Sequence, residues 1–359
     1  MTTPPAVDVT FRIRPYRAPL WLRGPHAQTI AGKFLRPGPG IALRRERLEL
    51  PDGDFLDLDF AEAGDHDAPV VLVLHGLEGS ARRRYMLVTY RELLARGLRP
   101  VGLNFRACSG EPNRLPRLYH SGDTGDVRHV VEHLADRFPD VPMGAIGFSL
   151  GGNVLLKYLG EAGEDAGRRL RAAVAISVPF DLTAGAATLE RGLMGRIYTV
   201  YFLRNLRRKV RAKARLLDGH IDVQATLRAR TLRAFDDAAT APLHGFADSA
   251  DYYRRSSSAA YLERIRIATL LLQAEDDPFL PPDAIPRDAI ARNPHLVAGF
   301  TERGGHVGFL TRDGGPGGRR LRFWAEEEAA RFLAAHLPPA HRTRPVPGRP
   351  ESSRTGTGR

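Results

Sequence analysis

Six short apolar runs punctuate the chain: Val70–Leu74, Arg99–Phe105, Pro142–Phe148, Arg171–Ser177, Ala268–Ala274 and Leu296–Glu302. They show little alternation of apolar and polar positions, which is the pattern of strands covered on both faces, as in a parallel sheet. Between them, apolar residues return every three or four positions. This spacing predicts helices over Ala81–Arg96, Asp123–Phe138, Gly152–Leu159 and Pro282–Asn293, with a terminal helix over Glu326–His336. Strands alternating with helices give an α/β architecture, a mostly parallel central sheet with helices on both faces. Ahead of this, Leu43–Leu50 and Phe55–Phe60 flank the turn sequence Pro51-Asp52-Gly53-Asp54, so the sheet is expected to open with antiparallel strands. The interval 182–255 breaks the rhythm. It has no clear strand, many arginines and scattered aromatics, and reads as a helical insertion.

This pattern divides the chain into an N-terminal extension over 1–40 and one domain over 41–337, with a helical lid inserted at about 182–255. The tail over 338–359, rich in Pro, Gly, Arg, Ser and Thr, is expected to be disordered. The composition, 43% hydrophobic and 26% charged over 359 residues, fits a globular protein. One cysteine, Cys108, excludes a disulfide framework and any multi-cysteine zinc site. No apolar run approaches the roughly 20 residues of a membrane span, and the first residues lack the apolar core of a secretory signal. A soluble cytoplasmic protein is the expectation.

Lys+Arg number 53 against 41 Asp+Glu, a net charge of +12. Such a balance raises the question of polyanion binding. Yet only four of these cations are lysines (Lys33, Lys157, Lys209 and Lys213), and the arginines are spread along the chain. That is the mark of a general compositional bias. No nucleic-acid recognition motif is present, so no nucleic-acid partner is expected. Two local concentrations remain, Arg204–Arg215 in the insertion and the tail from His341. The first reads as a solvated helical face or as a peripheral contact with an anionic membrane surface.

Chemistry enters at Gly147-Phe148-Ser149-Leu150-Gly151, a G-x-S-x-G sequence between an apolar run and a helix start. A serine on a sharp strand-to-helix turn needs small neighbours, and the helix N-terminus behind it favours developing negative charge. Ser149 is therefore the candidate nucleophile. Its base and the carboxylate that orients the base should follow in the order acid, histidine, each just after a strand. Glu275-Asp276-Asp277-Pro278 follows Ala268–Ala274, and Arg303-Gly304-Gly305-His306 follows Leu296–Glu302. His306 is the candidate base. Asp277 is favoured over Asp276 because the strand has ended there and Pro278 begins the turn; Asp276 would be solvated or cap the loop. Backbone amides of Leu150 and of Leu77, in His75-Gly76-Leu77-Glu78-Gly79, are the candidate oxyanion hole. His75 is expected to shape that loop rather than to act as a base.

His129-Val130-Val131-Glu132-His133 matches a zinc-protease signature. However, the apolar stripe Val127, Val130, Val131, Leu134 and Phe138 should turn toward the sheet and leave the histidines near solvent, without a third ligand. No metal is expected. The polar segment Asn104–Asp123, carrying Arg106, Arg114, Arg117, Tyr119 and His120, is either a brace for the serine turn and lid or a direct substrate contact. Cys108 within it reads as a packed thiol.

Taken together, these motifs resemble the α/β-hydrolase superfamily, specifically hydrolases of the YheT/EMB8 type that include the mammalian ABHD1–ABHD3-like enzymes. The matching stretches are His26-Ala27-Gln28-Thr29, His75–Ser80, Asn104–Asp123, Gly147–Asn153, Asp276-Asp277-Pro278-Phe279 and Gly304–Phe309. Where relatives commonly have glycine after Phe-Arg, this chain has Ala107. The resemblance implies a cofactor-independent serine hydrolase of carboxylic esters, with acyl esters, acylglycerols or phospholipids as substrate classes and no assigned substrate-binding residues. An inactive binding protein on the same fold, or an acyltransferase using the same three residues, are the alternatives.

Overall fold

The computed structural model describes residues 11–338, apart from 39, 63–64, 66 and 314–319. Its strands are β1 (Leu43–Glu49), β2 (Phe55–Ala61), β3 (Val70–Leu74), β4 (Arg99–Asn104), β5 (Met143–Phe148), β6 (Ala172–Ile176), β7 (Ala268–Ala274) and β8 (Leu296–Thr301). They form one eight-stranded sheet in the order β1-β2-β4-β3-β5-β6-β7-β8. β1 pairs antiparallel with β2, and β2 antiparallel with β4. All remaining neighbours are parallel. Helix α1 (Pro25–Leu35) precedes β1; α2 (Arg84–Leu94), α3 (Thr124–Arg137) and α4 (Leu150–Ala162) cross between strands, and a C-terminal helix spans Trp324–His336.

The apolar runs lack alternation because both faces of the sheet are covered. Val70, Leu72 and Leu74 of β3 pack in one cluster with α3 and α4. Val71 and Val73 pack in another with α2 and the C-terminal helix. Helix ends lie within three residues of the sequence-based expectation, and one expected helix is divided. Pro282–Asn293 resolves into a short 3-10 turn at Pro282–Ala284 and a helix at Arg287–Arg292. Pro286 has no amide hydrogen and its ring crowds the residue before it, so a helix cannot run through it. A small hairpin, Leu310–Arg312 with Leu321–Phe323, went unread because its strands are only three residues long.

Between β6 and β7 the chain is helical and contains no strand. It begins with α5 (Leu182–Leu189) and the long α6 (Gly192–Ala212), then continues through short helices to Ser249–Ser256. The segment has its own small core of Leu203, Leu206, Val210, Leu217 and Phe235. The basic run on α6 divides by residue type. Arg204, Arg208 and Arg211 are exposed. Lys213 is buried, donating to Asn113 Oδ1 at 2.6 Å and the Arg117 carbonyl at 2.9 Å. The other basic run, in the tail, lies outside the described residues.

The Asn104–Asp123 segment is held by a buried ion-pair network. Arg106, 3% exposed, donates to Asp54 at 2.8 Å and to both oxygens of Asp126 at 2.7 and 2.8 Å. Asp54 also accepts from Asn113 Nδ2 at 2.7 Å and from the Arg114 amide at 2.8 Å. Removing one member of such a set leaves buried charge without compensation. Arg106→Leu is therefore expected to cost about 3–5 kcal/mol of stability, read as a lower urea midpoint. A loss below about 1 kcal/mol would show that the carboxylates are satisfied without the guanidinium.

On α3 the residues Val127, Val130, Val131 and Leu134 are fully buried against the sheet, and His129 and His133 are half-buried beside them. Among the described residues no group of three or more His, Cys, Asp or Glu is placed to hold a metal ion.

Candidate active site

Ser149 sits between the end of β5 and the first residue of α4, with φ 51° and ψ −120°. A non-glycine residue rarely holds positive φ, and here the surroundings enforce it. A Cβ on Gly147 would lie 2.5 Å from the Gly151 carbonyl oxygen, and one on Gly151 would lie 2.6 Å from that of His75. Only glycine lets the turn close this tightly, which lifts the serine side chain above the sheet edge. The Ser149 amide is fixed by the Ile176 carbonyl at 2.8 Å.

The three sequence-selected side chains meet here. His306 Nε2 lies 2.9 Å from Ser149 Oγ. His306 Nδ1 lies 2.9 and 3.1 Å from the two oxygens of Asp277. Asp277 additionally accepts from the Phe279 amide at 2.9 Å and from Gln273 Nε2 at 3.3 Å. This carboxylate makes Nδ1 the protonated nitrogen and leaves Nε2 free to accept from the serine. Phe279 stacks on the His306 ring at a centroid distance of 4.1 Å. The neighbouring Asp276 does something else. It accepts the Gly305 amide at 2.8 Å and so holds the loop that carries the histidine. Burial raises its pKa.

Residues of the N-terminal extension, ahead of β1, brace this same loop. Thr29 Oγ1 accepts the His306 amide at 2.9 Å. Gln28 accepts the Leu310 amide at 2.9 Å. Arg36 donates to the Val307 and Gly308 carbonyls at 2.8 and 3.1 Å. The His26-Ala27-Gln28-Thr29 motif was the available signal, but nothing local in it says which distant loop it supports.

The loop after β3 places Leu77 among amides that are already engaged. Gly76 N–H donates to Tyr85 Oη at 3.0 Å, Glu78 N–H to Tyr119 Oη at 2.7 Å and Gly79 N–H to the Gly76 carbonyl at 2.9 Å. Among the described residues no hydrogen bond occupies the Leu77 amide. Leu150 N–H belongs to the first turn of α4, where helix amides have no intrahelical acceptor. His75 accepts the Phe105 amide on Nε2 at 3.3 Å, and its Nδ1 therefore donates to the Gly76 carbonyl at 2.7 Å. Complete burial pushes its pKa down to about 3, so it stays neutral and holds the loop shape.

Lys209, on α6, reaches into the same loop. Its Nζ lies 2.7 Å from Glu78 Oε1 and 3.0 Å from Cys108 Sγ. Glu78 has φ 54° and also accepts from Tyr119 Oη at 2.9 Å. Burial pushes the Cys108 thiol up, so it is a neutral packed group. Behind the nucleophile, Asn153 Nδ2 donates to the Ser121 and Ser256 carbonyls at 2.8 and 2.7 Å. It thereby ties α4 both to the Asn104–Asp123 segment and to the helical insertion.

Two cavities meet at Ser149 and His306. The smaller, about 120 Å³, has mainly apolar walls that include Leu118, Leu182, Leu189, Phe235 and Tyr253. The larger, about 570 Å³, runs between α1 and α6 and includes Lys33, Arg83 and Arg84 in its walls. The Asn104–Asp123 segment is braced at one end and lines a cavity at the other. Arg106 anchors it, and Leu118–Ser121 form cavity wall.

A family model for the alpha/beta hydrolase fold matches residues 69–313. YheT of Escherichia coli (strain K12) is 38% identical over 318 residues, covering 87% of this chain and 91% of that protein. The phospholipase ABHD3 of Mus musculus is 32% identical over 302 residues, covering 82% and 73%. Among solved structures, the esterase Pf2001 of Pyrococcus furiosus aligns with a TM-score of 0.50 at 19% identity, over 82% of this chain and 89% of that one. At that identity the likeness speaks for the fold alone.

Proposed function

The chain belongs to the α/β-hydrolase family, within the group that holds YheT, EMB8 and ABHD3, and we propose that it hydrolyses carboxylic esters through an acyl-enzyme on Ser149. The observation that carries this reading is the continuous chain Ser149 Oγ, His306 Nε2, His306 Nδ1 and Asp277, opening onto two cavities. The substrate class in this reading is acyl esters of short or medium chain, or acylglycerol- and phospholipid-type lipids, and relatives named as phospholipase and as monoacylglycerol lipase support the lipid part of it.

In this mechanism Ser149 Oγ attacks the ester carbonyl carbon and its proton passes to His306 Nε2. Asp277 stabilises the resulting imidazolium. The Leu77 and Leu150 amides receive the oxyanion. The tetrahedral intermediate collapses, and His306 gives the proton to the departing alcohol. Water, deprotonated by His306, then attacks the acyl-serine and releases the acid and the free enzyme. The apolar cavity takes the acyl chain, and the larger one takes the alcohol portion. The helical segment of about 182–255 serves as the lid of a single domain over 41–337. No cofactor takes part.

A fluorophosphonate probe tests the nucleophile. Wild-type protein is expected to be labelled at Ser149, and the Ser149→Ala variant to remain unlabelled. Label retained by that variant would place the nucleophile elsewhere, and an unlabelled wild type that also fails across a p-nitrophenyl ester series would favour a binding protein.

In the same reading Lys209 is a positioning residue, acting through Glu78 on the adjacent Leu77 amide. Lys209→Met is expected to lower kcat about 10- to 100-fold with little change in KM. Lys209→Arg should recover part of the loss. A change confined to KM would assign Lys209 to substrate binding instead.

A further inference from the structure

Nine of the ten exposed large apolar side chains among the described residues lie on α6, on α1 or on the turn that leads into α1. On α6 they are Leu193 (75% exposed), Ile197, Val200 (66%) and Tyr201. The rest flank or belong to α1, with Leu20, Trp21 and Phe34 more than half exposed. Lys33 Nζ lies 4.0 Å from the Tyr201 ring centroid, and His26 Nδ1 lies 3.1 Å from Tyr198 Oη, so the two elements are in contact. The larger cavity runs from Ile30, Phe34, Ile197 and Tyr201 to Ser149 and His306.

The face on α6 is the reverse of what folding demands. The helix already buries Tyr198, Leu203, Leu206 and Val210. The exposed apolar residues recur every three or four positions on the other side, and the same face continues as Arg204, Arg208 and Arg211. The sequence carries no Asp or Glu between Glu190 and Asp218, and none between Asp8 and Glu46. Clustered exposed hydrophobes mark a surface that is covered in use. The uniform positive charge selects the cover. A second copy of the chain would set arginine against arginine. An anionic phospholipid surface instead offers phosphates to the arginines and acyl chains to Leu193, Val200 and Trp21.

We propose that the face formed by α1, α6 and the residues leading into α1 docks on an anionic phospholipid bilayer and presents the larger cavity to it. An acyl ester could then pass from the bilayer toward Ser149 without crossing bulk water. That passage rests on the hydrolase reading above, whereas docking does not depend on it.

The test uses the full chain with vesicles of phosphatidylcholine, with and without phosphatidylglycerol. The protein has two tryptophans, Trp21 at 54% exposure and Trp324 at 3%. Co-sedimentation with the phosphatidylglycerol vesicles is expected, with a blue shift in emission that Trp21→Phe abolishes. Neither Leu193 nor Val200 lines either cavity. The double variant Leu193→Asp/Val200→Asp should bind these vesicles roughly tenfold or more weakly. It should keep p-nitrophenyl butyrate hydrolysis within about twofold of wild type, because that ester is soluble. The proposal is overturned by absent binding, by equal binding to pure phosphatidylcholine, by an emission shift that survives Trp21→Phe, or by a double variant that binds as wild type. It is also overturned by a concentration-dependent dimer that the double variant loses. A protein that docks but cleaves no ester keeps this inference and sinks the hydrolase reading, and one that cleaves soluble esters but never docks does the reverse.

Discussion

Ser149→Ala is expected to lower kcat by about 10⁴–10⁶-fold on a p-nitrophenyl ester while leaving the fold and substrate binding largely intact. The reason is local. Ser149 Oγ is the only heavy atom removed, and it lies 2.9 Å from His306 Nε2 at the junction of both cavities. Alanine keeps the Cβ, so the turn still closes between Gly147 and Gly151. Positive φ costs alanine about what it costs serine, so the melting temperature should change little. The measurement is steady-state kinetics on the purified variant with a thermal melt alongside. Residual turnover within about tenfold of wild type would rule out an acyl-enzyme at Ser149.

The second large effect separates two adjacent carboxylates. Asp277→Asn is expected to reduce kcat by about 10⁴-fold, and Asp276→Asn far less. Asp277 meets His306 Nδ1 with both oxygens and is itself held by the Phe279 amide and Gln273. An asparagine there can present an N–H to the ring, which moves the imidazole proton to Nε2 and removes the acceptor that Ser149 needs. Asp276 contacts the backbone of the histidine loop and not the ring. Its amide variant retains an oxygen for the Gly305 N–H and should cost at most about tenfold. A loss of turnover confined to Asp276→Asn would reverse the assignment.

Much of the site could be reached without coordinates, and the reason differs from residue to residue. Ser149 was legible because a strained turn admits few residue types, so its glycines stand next to it in sequence. Asp277 and His306 were legible because parallel strands end at one edge of the sheet. Residues just after β7 and β8 must then arrive near the residue just after β5. Leu77 follows from the same geometry at β3. The supports were not legible. Thr29 and Gln28 act on a loop 277 and 282 residues away, and Lys209 reaches Glu78 from the helical insertion. Each is a short-range polar contact made by an ordinary residue on an unremarkable helix, with no periodicity to announce it. The choice between Asp276 and Asp277 rested on where the turn begins, and the hydrogen-bond partners give it a sharper basis.

The sequence by itself determined the layered α/β architecture, the strand edge at which the candidate site gathers and the candidate side chains Ser149, Asp277 and His306, because hydrophobic period and turn composition are local properties that survive any packing. Only the tertiary structure decided where the charge and the exposed apolar residues face. The run Arg204–Arg215 read as a single basic cluster, yet lysines 209 and 213 turn inward to hold loops while Arg204, Arg208 and Arg211 extend an apolar face outward. A linear pattern gives a helix two faces but not which one the protein covers. That depends on what else is packed beside it, here α1 and the cavity between them.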